Sequence, residues 1–290
     1  MENNEPSFKV IADLFQVPDP QDLDVAEPER KRHGDSPEES RDLGAQSLNK
    51  GDYETALRHF REAVAQRDSD DITGLIDLGG ALEYGDNYPQ AMRQYEKALR
   101  MKSDAAEPEV GLSDLYRRYG RFKDSILKLE KAIEKEPGNS YYRIKLAETL
   151  REARERRRAY AAAQDAILVK PDDPYYHFWT GDLLIEMERY DEALEYLRAA
   201  IELSPGDDYL YLRASVAFWC AGRRPEAIKS LRLASELDPE KHLYHGLLGI
   251  LYEESGQREE ATLESGRAEK MDRYDHDLLG RILAEMKIEL

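Results

Sequence analysis

The chain has 290 residues, 41% of them hydrophobic and 35% charged, with a formal net charge of -18. That length holds one or two ordinary domains or a single repeat array. The acidic balance excludes the basic footprint that nucleic-acid phosphates or an anionic membrane surface require, and the lone cysteine, Cys220, excludes an intramolecular disulfide or a paired-cysteine metal knuckle.

Residues 1–35 are rich in acid and carry Pro6, Pro18, Pro20 and Pro28, a composition that predicts a largely disordered acidic leader. The leader does not read as a signal peptide. Acid stands where a basic region belongs, and Lys9 and Asp13 interrupt the apolar residues. No run in the chain approaches the roughly 18 apolar residues of a membrane helix, so no membrane role is expected and the cytoplasm is the expected location. One amphipathic segment, 8–16, breaks the leader. Phe8, Ile11 and Phe15 fall at i, i+3 and i+7 with Leu14 alongside, the anchor pattern of a short helix made for a groove.

Ser36-Pro37-Glu38-Glu39 reads as a helix start, with Ser36 as N-cap, Pro37 at the first helical position and Glu39 placed to complete a capping box. From there a period governs the chain. Ala56, Ala91, Ser125, Ala159, Ala193, Ala227 and Ala261 recur at steps of 35 and then 34 residues. Ala63, Ala98, Ala132, Ala166, Ala200, Ala234 and Ala268 keep the same beat, and so does an earlier small column: Gly44, Gly79, Ser113, Ala147, Gly181, Ser215 and Gly249. Small residues let two helix backbones approach closely. A bulky column, Phe60, Tyr95, Leu129, Leu197 and Leu231, fills the space beside that approach. Each period holds two apolar stripes of helical spacing parted by a polar break, often with glycine at Gly51, Gly85, Gly120, Gly222 or Gly256. Pro137, Pro171, Pro205 and Pro239 close four periods at one phase. Each unit therefore reads as helix, tight turn, helix, stop.

"ALRHF" (56–60), "AMRQY" (91–95), "LGILY" (248–252) and the closing prolines resemble the tetratricopeptide repeat, over about residues 37 to 274. The resemblance implies an all-α, right-handed superhelical solenoid of about seven antiparallel helix pairs, with a concave groove lined mainly by the first helices. Pentatricopeptide repeats, which read RNA, share the period, but the acidic charge and the loop prolines argue against them. The expected layout is seven repeats over 36–274 and a C-terminal capping helix over 275–290, where Leu278, Leu279, Ile282, Leu283 and Met286 share one face. The fourth period departs most. Its turn lacks glycine, and Arg156 and Ala163 replace an aromatic and a bulky filler, which predicts a looser joint there.

Nothing in the sequence reads as catalytic. There is no Gly-rich phosphate loop, no nucleophile elbow and no HExxH, so neither an enzyme nor a cofactor is expected. His242 and His245 stand three apart with no evident third ligand and read as surface or packing histidines, and Cys220 as a small apolar filler. Carrying the family's groove-facing columns onto this chain gives Tyr175, Phe178, Ile185, Tyr209, Leu212 and Trp219 as an aromatic and apolar wall. Some of these side chains could instead pack between neighbouring repeats. Arg117, Arg118 and Arg151 are carried over as contacts for an acidic peptide. The carboxylate clamp of chaperone-binding members is missing, since its positions hold Arg41, Ala45, Asp77, Glu107 and Gly111. The expected function is a scaffold that binds a peptide or helical segment of another protein. Intramolecular docking of Phe8, Ile11 and Phe15 in that groove is an accompanying expectation, and the alternative is a regulator whose superhelix changes shape on ligand binding.

Overall fold

The computed structural model describes residues 36–66 and 71–289. Among these residues there are fifteen α-helices, one short 3-10 turn and no strand. They belong to two compact units, residues 1–136 and 137–290.

The first unit holds three helix pairs: α1 (Pro37–Asn49) with α2 (Tyr53–Gln66), α3 (Thr73–Tyr84) with α4 (Tyr88–Met101), and α5 (Glu107–Arg118) with α6 (Phe122–Lys135). Its first helix opens on a reciprocal cap. Ser36 Oγ accepts from the Glu39 amide at 3.2 Å, and Glu39 Oε2 accepts from the Ser36 amide at 2.9 Å. The second unit holds four pairs: α7 (Ser140–Glu152) with α8 (Arg156–Val169), α9 (Pro174–Glu186) with α10 (Tyr190–Leu203), α11 (Asp208–Cys220) with α12 (Arg224–Leu237), and α13 (His242–Glu254) with α14 (Arg258–Arg267). A 3-10 turn at Ala268–Lys270 then leads into α15 (Arg273–Glu285).

Three pairs close where a bulky residue of the second helix rests on bare backbone of the first. A Cβ placed on Gly44 would lie 2.8 Å from the Phe60 ring, on Gly79 2.6 Å from Tyr95, and on Gly181 2.9 Å from Leu197. In the fourth pair the register sets Ala163 opposite Ala147, and both are completely buried. The bulky loss read in the sequence is therefore met by closure over small residues, and α7 packs along α8 as the other pairs pack. The division between units falls before this pair, at Glu136 and Pro137.

The turn inside each pair needs one left-handed residue. Gly51, Gly120, Gly222 and Gly256 supply it with φ of 70 to 76°, while Asp86, Arg154 and Glu188 do so with φ of 58 to 64°. Gly85 is not the left-handed residue of its turn, since its φ is -88°. It is small because a Cβ there would run into the Tyr53 ring.

Within the second unit, hydroxyls tie consecutive pairs. Tyr176 Oη lies 3.0 Å from Ser140 Oγ, and Tyr244 donates to Asp208. The carbonyls of the closing prolines are also satisfied: Tyr211 donates to Pro205 at 3.1 Å, and His177 Nε2 lies 2.7 Å from the Pro171 oxygen. The first unit buries a carboxylate between two lysines. Glu109 accepts from Lys128 at 2.8 Å and from Lys135 at 3.0 Å. Burial pushes its pKa up, the two lysines more than offset this, and the carboxyl ends below its ordinary value.

Candidate functional site

The first helices of residues 137–290 build the candidate site. Tyr141, Tyr175 and Tyr209 stand 34 residues apart, each the second residue of its helix. Asn139, Asp173 and Asp207 cap these helices, and each side-chain oxygen accepts the backbone N–H of the tyrosine itself, at 3.1, 3.1 and 3.0 Å. The cap therefore fixes the backbone from which each ring projects. The three tyrosines are 50, 47 and 40% exposed, forming a ledge on the surface. Phe178 bridges two of them, with ring centroids 6.3 Å from Tyr175 and 5.7 Å from Tyr209. Tyr175 donates to Glu148 at 3.2 Å. Burial, followed by the Glu148 charge and that hydrogen bond, pushes the Tyr175 pKa up to about 12, so the phenol stays neutral.

Beneath the ledge lies a charged network. Asp182 accepts from Arg151 at 2.9 Å and pairs with Arg213 at 2.5 Å. Arg151 also bonds Glu186 at 3.0 Å and lies 5.5 Å from the centre of the Trp179 ring. Arg213 is buried, bonds Glu285 of α15 at 2.7 Å, and keeps an Nε with no partner.

Several residues expected to stand open do not. Ile185, Leu212 and Trp219 are buried, at 6, 1 and 7% exposure. They belong to one apolar cluster that also contains Leu279, Ile282, Leu283 and Met286 of α15, and Arg224 lies 4.9 Å from the Trp219 ring centre. Arg151 is committed to Asp182 and Glu186 and is no open receptor for an acid. In the first unit Arg118 pairs with Glu83 at 3.3 Å and lies 5.4 Å from the Tyr88 ring centre, and Arg117 lies 3.5 Å from Asp114. Of the predicted wall, Tyr175, Phe178 and Tyr209 reach the surface.

The closing helix joins the same cluster. Glu285 bonds Arg213, and its carbonyl accepts from Cys220 Sγ at 3.5 Å. Arg213 and Cys220 are seven residues apart on α11, two helical turns, so they mark one face, shared with Tyr209 and Val216. Just past the helix, Lys287 pairs with Glu188 at 3.0 Å. Burial pushes the Cys220 thiol up, away from reactivity. Arg213 and Glu285 were not evident from the sequence, because nothing in a 34-residue period marks a pair 72 residues apart. The ledge did leave a signal: Asn or Asp two positions before each tyrosine.

The other candidates resolve locally. His242 Nδ1 lies 3.1 Å from the Arg267 carbonyl and His245 Nδ1 2.6 Å from Glu264, so the two rings serve different partners. Arg158 bonds Glu155 at the turn edge, at 2.7 Å. Phe8, Ile11 and Phe15 lie outside the described residues. Among the described residues, no cluster of three metal-ligating side chains occurs, and no helix is long and apolar enough to cross a membrane.

With pairing, turns and period in place, family models of the tetratricopeptide repeat match residues 76–140 and 144–208, and a second such model matches 184–251. The chain belongs to the tetratricopeptide repeat family. Comparison with curated proteins finds no match. Solved tetratricopeptide repeat structures share the fold. One from Parabacteroides merdae ATCC 43184 covers 88% of this chain and 100% of its own at 17% identity, with a TM-score of 0.59. MamA covers 59% of this chain and 93% of its own at 24% identity, TM-score 0.53. YrrB, described as a TPR protein with an unusual peptide-binding site, covers 62% and 92% at 24% identity, TM-score 0.51.

Proposed function

We propose that this tetratricopeptide repeat protein is an interaction scaffold, a binder and not an enzyme. It takes a segment of another protein on the first-helix face of residues 137–290, with the tyrosine ledge as its open edge. One observation carries the reading. Tyr141, Tyr175 and Tyr209 are held by their helix caps with about half of each residue in water, and the cores beneath them are already filled. A row of aromatic rings left wet in register is the surface that interface anchors use. Tyrosine suits it, because a rigid ring loses little entropy on binding and keeps a polar tip. The peptide-binding site attributed to YrrB shows that this fold can serve such a role in another protein.

The test is affinity capture with the full chain, comparing wild type with Tyr175→Ala/Tyr209→Ala. The expected result is loss of the wild-type partner at an unchanged thermal midpoint, since both rings are half exposed. Undiminished capture of the same partner contradicts the proposal. A second arm removes residues 1–20. Tighter partner binding supports competition by the Phe8, Ile11 and Phe15 segment, and unchanged binding removes it.

A further inference from the structure

We infer that residues 273–288 are a built-in ligand of the first-helix face of α11 and α13. That face takes, in exchange, an amphipathic helix of a partner protein with the same signature: four apolar residues at i, i+3, i+4 and i+7, and a carboxylate just before the last. The inference rests on the binding role proposed above and names the class of segment bound.

The route of the chain is the first argument. Every other second helix has fourteen residues, but α14 has ten. The 3-10 turn that ends it lays Met271 over Gly246, where an added Cβ would sit 2.9 Å from the Met271 methyl. Beyond that turn α15 runs against α13, the helix with which it makes its main contact. A segment that merely capped the last pair would have its work done there. This one runs on to Arg213 and Cys220 of the preceding pair and to Glu188 of the pair before that.

Its chemistry is the second argument. Leu279, Ile282, Leu283 and Met286 sit at i, i+3, i+4 and i+7 and are buried in the same cluster as Leu212, Val216 and Trp219. Residues 276, 277, 280, 281 and 284 are exposed. This is the anchor spacing of a helix laid in a groove. The ties at its end are accessible to water: Lys287 and Glu188 are 69 and 66% exposed, and Glu285 is 45% exposed. Exposed pairs of this kind hold weakly. Arg213, in contrast, is buried with one nitrogen unpaired, so the hydrogen-bond donor for the incoming carboxylate belongs to the receptor and stays in place when the occupant leaves. Asp182 on its far side keeps it paired meanwhile. What holds the occupant is apolar burial plus tethering, and a partner helix with the same stripe supplies the first and competes against the second.

The experiment uses the full chain carrying Ile282→Asp/Leu283→Asp, which expels the apolar stripe, and a fluorescein-labelled synthetic peptide of residues 273–289. By fluorescence anisotropy the peptide should bind this variant at least about tenfold more tightly than wild type, because the tethered competitor is gone. Adding Arg213→Gln, or using a peptide with Glu285→Lys, should weaken binding by about tenfold, the scale of a charge-assisted contact. If circular dichroism shows the double variant unfolded, Lys287→Glu in the full chain serves instead, and a rise of a few-fold in peptide affinity is expected. A folded variant that binds the peptide no better than wild type overturns the inference. So does a variant that dimerises by exchanging its closing helix and refuses the peptide. If the ledge variants lose their partner while the peptide fails here, only this inference falls. If neither effect is seen, the binding face itself is wrong.

Discussion

On the same scaffold, the first helices of both units pair charges, but those of the second add an apolar cluster. In residues 36–136 the expected groove positions hold charges that satisfy one another: Arg41 with Asp77, Arg118 with Glu83, Arg117 beside Asp114. In residues 137–290 the corresponding positions hold Ile185, Leu212, Val216 and Trp219, with Arg213 buried among them and α15 joining the cluster. The columns that pair helices are alike in both, as Gly79 under Tyr95 and Gly181 under Leu197 show. Pairing and facing are thus separate problems. Small and bulky columns fix the helix pair, while the outward positions decide whether the face stands wet or must be covered.

The comparison can be broken first at the shared columns. Leu129 and Leu197 occupy one column and are both completely buried. Leu129→Ala and Leu197→Ala should each cost about 2–5 kcal/mol by the loss of buried surface and the cavity left behind. Denaturant unfolding should show similar losses for the two. A large loss from one and none from the other would mean that the units do not share a packing rule.

The faces should then differ. Arg213→Met should cost about 2–3 kcal/mol, because it strands carboxylates around a buried position, discounted for the exposure of Glu285. Arg118→Met, at a half-exposed pair, should cost under about 1 kcal/mol. Comparable costs in urea titrations would erase the contrast between an open and a closed face.

Acid sharpens the comparison from the other side. The Glu109 carboxyl has a folded pKa below its ordinary 4.5, with burial opposing and Lys128 and Lys135 winning. A depressed carboxylate contributes stability above the unfolded value and loses it as pH falls through the folded one. Stability should therefore fall below about pH 4.5, and Glu109→Gln should flatten that part of the pH profile while lowering stability at neutral pH. An unchanged acid profile would show that the two lysines do not hold the charge.

The smallest effects lie at the turns. Arg154 is exposed and left-handed at φ 64°, and Gly120 fills the same phase at φ 70°. Arg154→Gly should raise stability by about 1 kcal/mol, and Gly120→Arg should lower it by about as much, since a side chain disfavours that conformation. Thermal melts of the pair give the sign directly.

Much of the fold was legible because its determinants are local and periodic. The Ser36 cap, the glycine-under-ring contacts and the proline stops each lie within one period, and the structure realises them. The break of the second pair falls at Gly85 as its glycine signals, but the left-handed residue there is Asp86, and the glycine answers to Tyr53, some thirty residues earlier. The site was half legible. Tyr175, Phe178 and Tyr209 are where first-helix registry puts surface aromatics. Ile185, Leu212 and Trp219 lie in the same registry yet are buried, in a cluster that several helices build, α15 among them. No column in the period carries that information.

Closure of the second unit's face by α15 is the claim on which the account turns, and Cys220, the sole cysteine, reports on it. Its thiol lies 3.5 Å from the Glu285 carbonyl. The decisive measurement is the rate of thiol labelling in the native full chain, set against the Ile282→Asp/Leu283→Asp variant with its helix content verified. The account predicts labelling about tenfold or more slower in wild type, as for a site that reacts only on local opening. Equal rates in two folded proteins would mean that α15 does not cover this face.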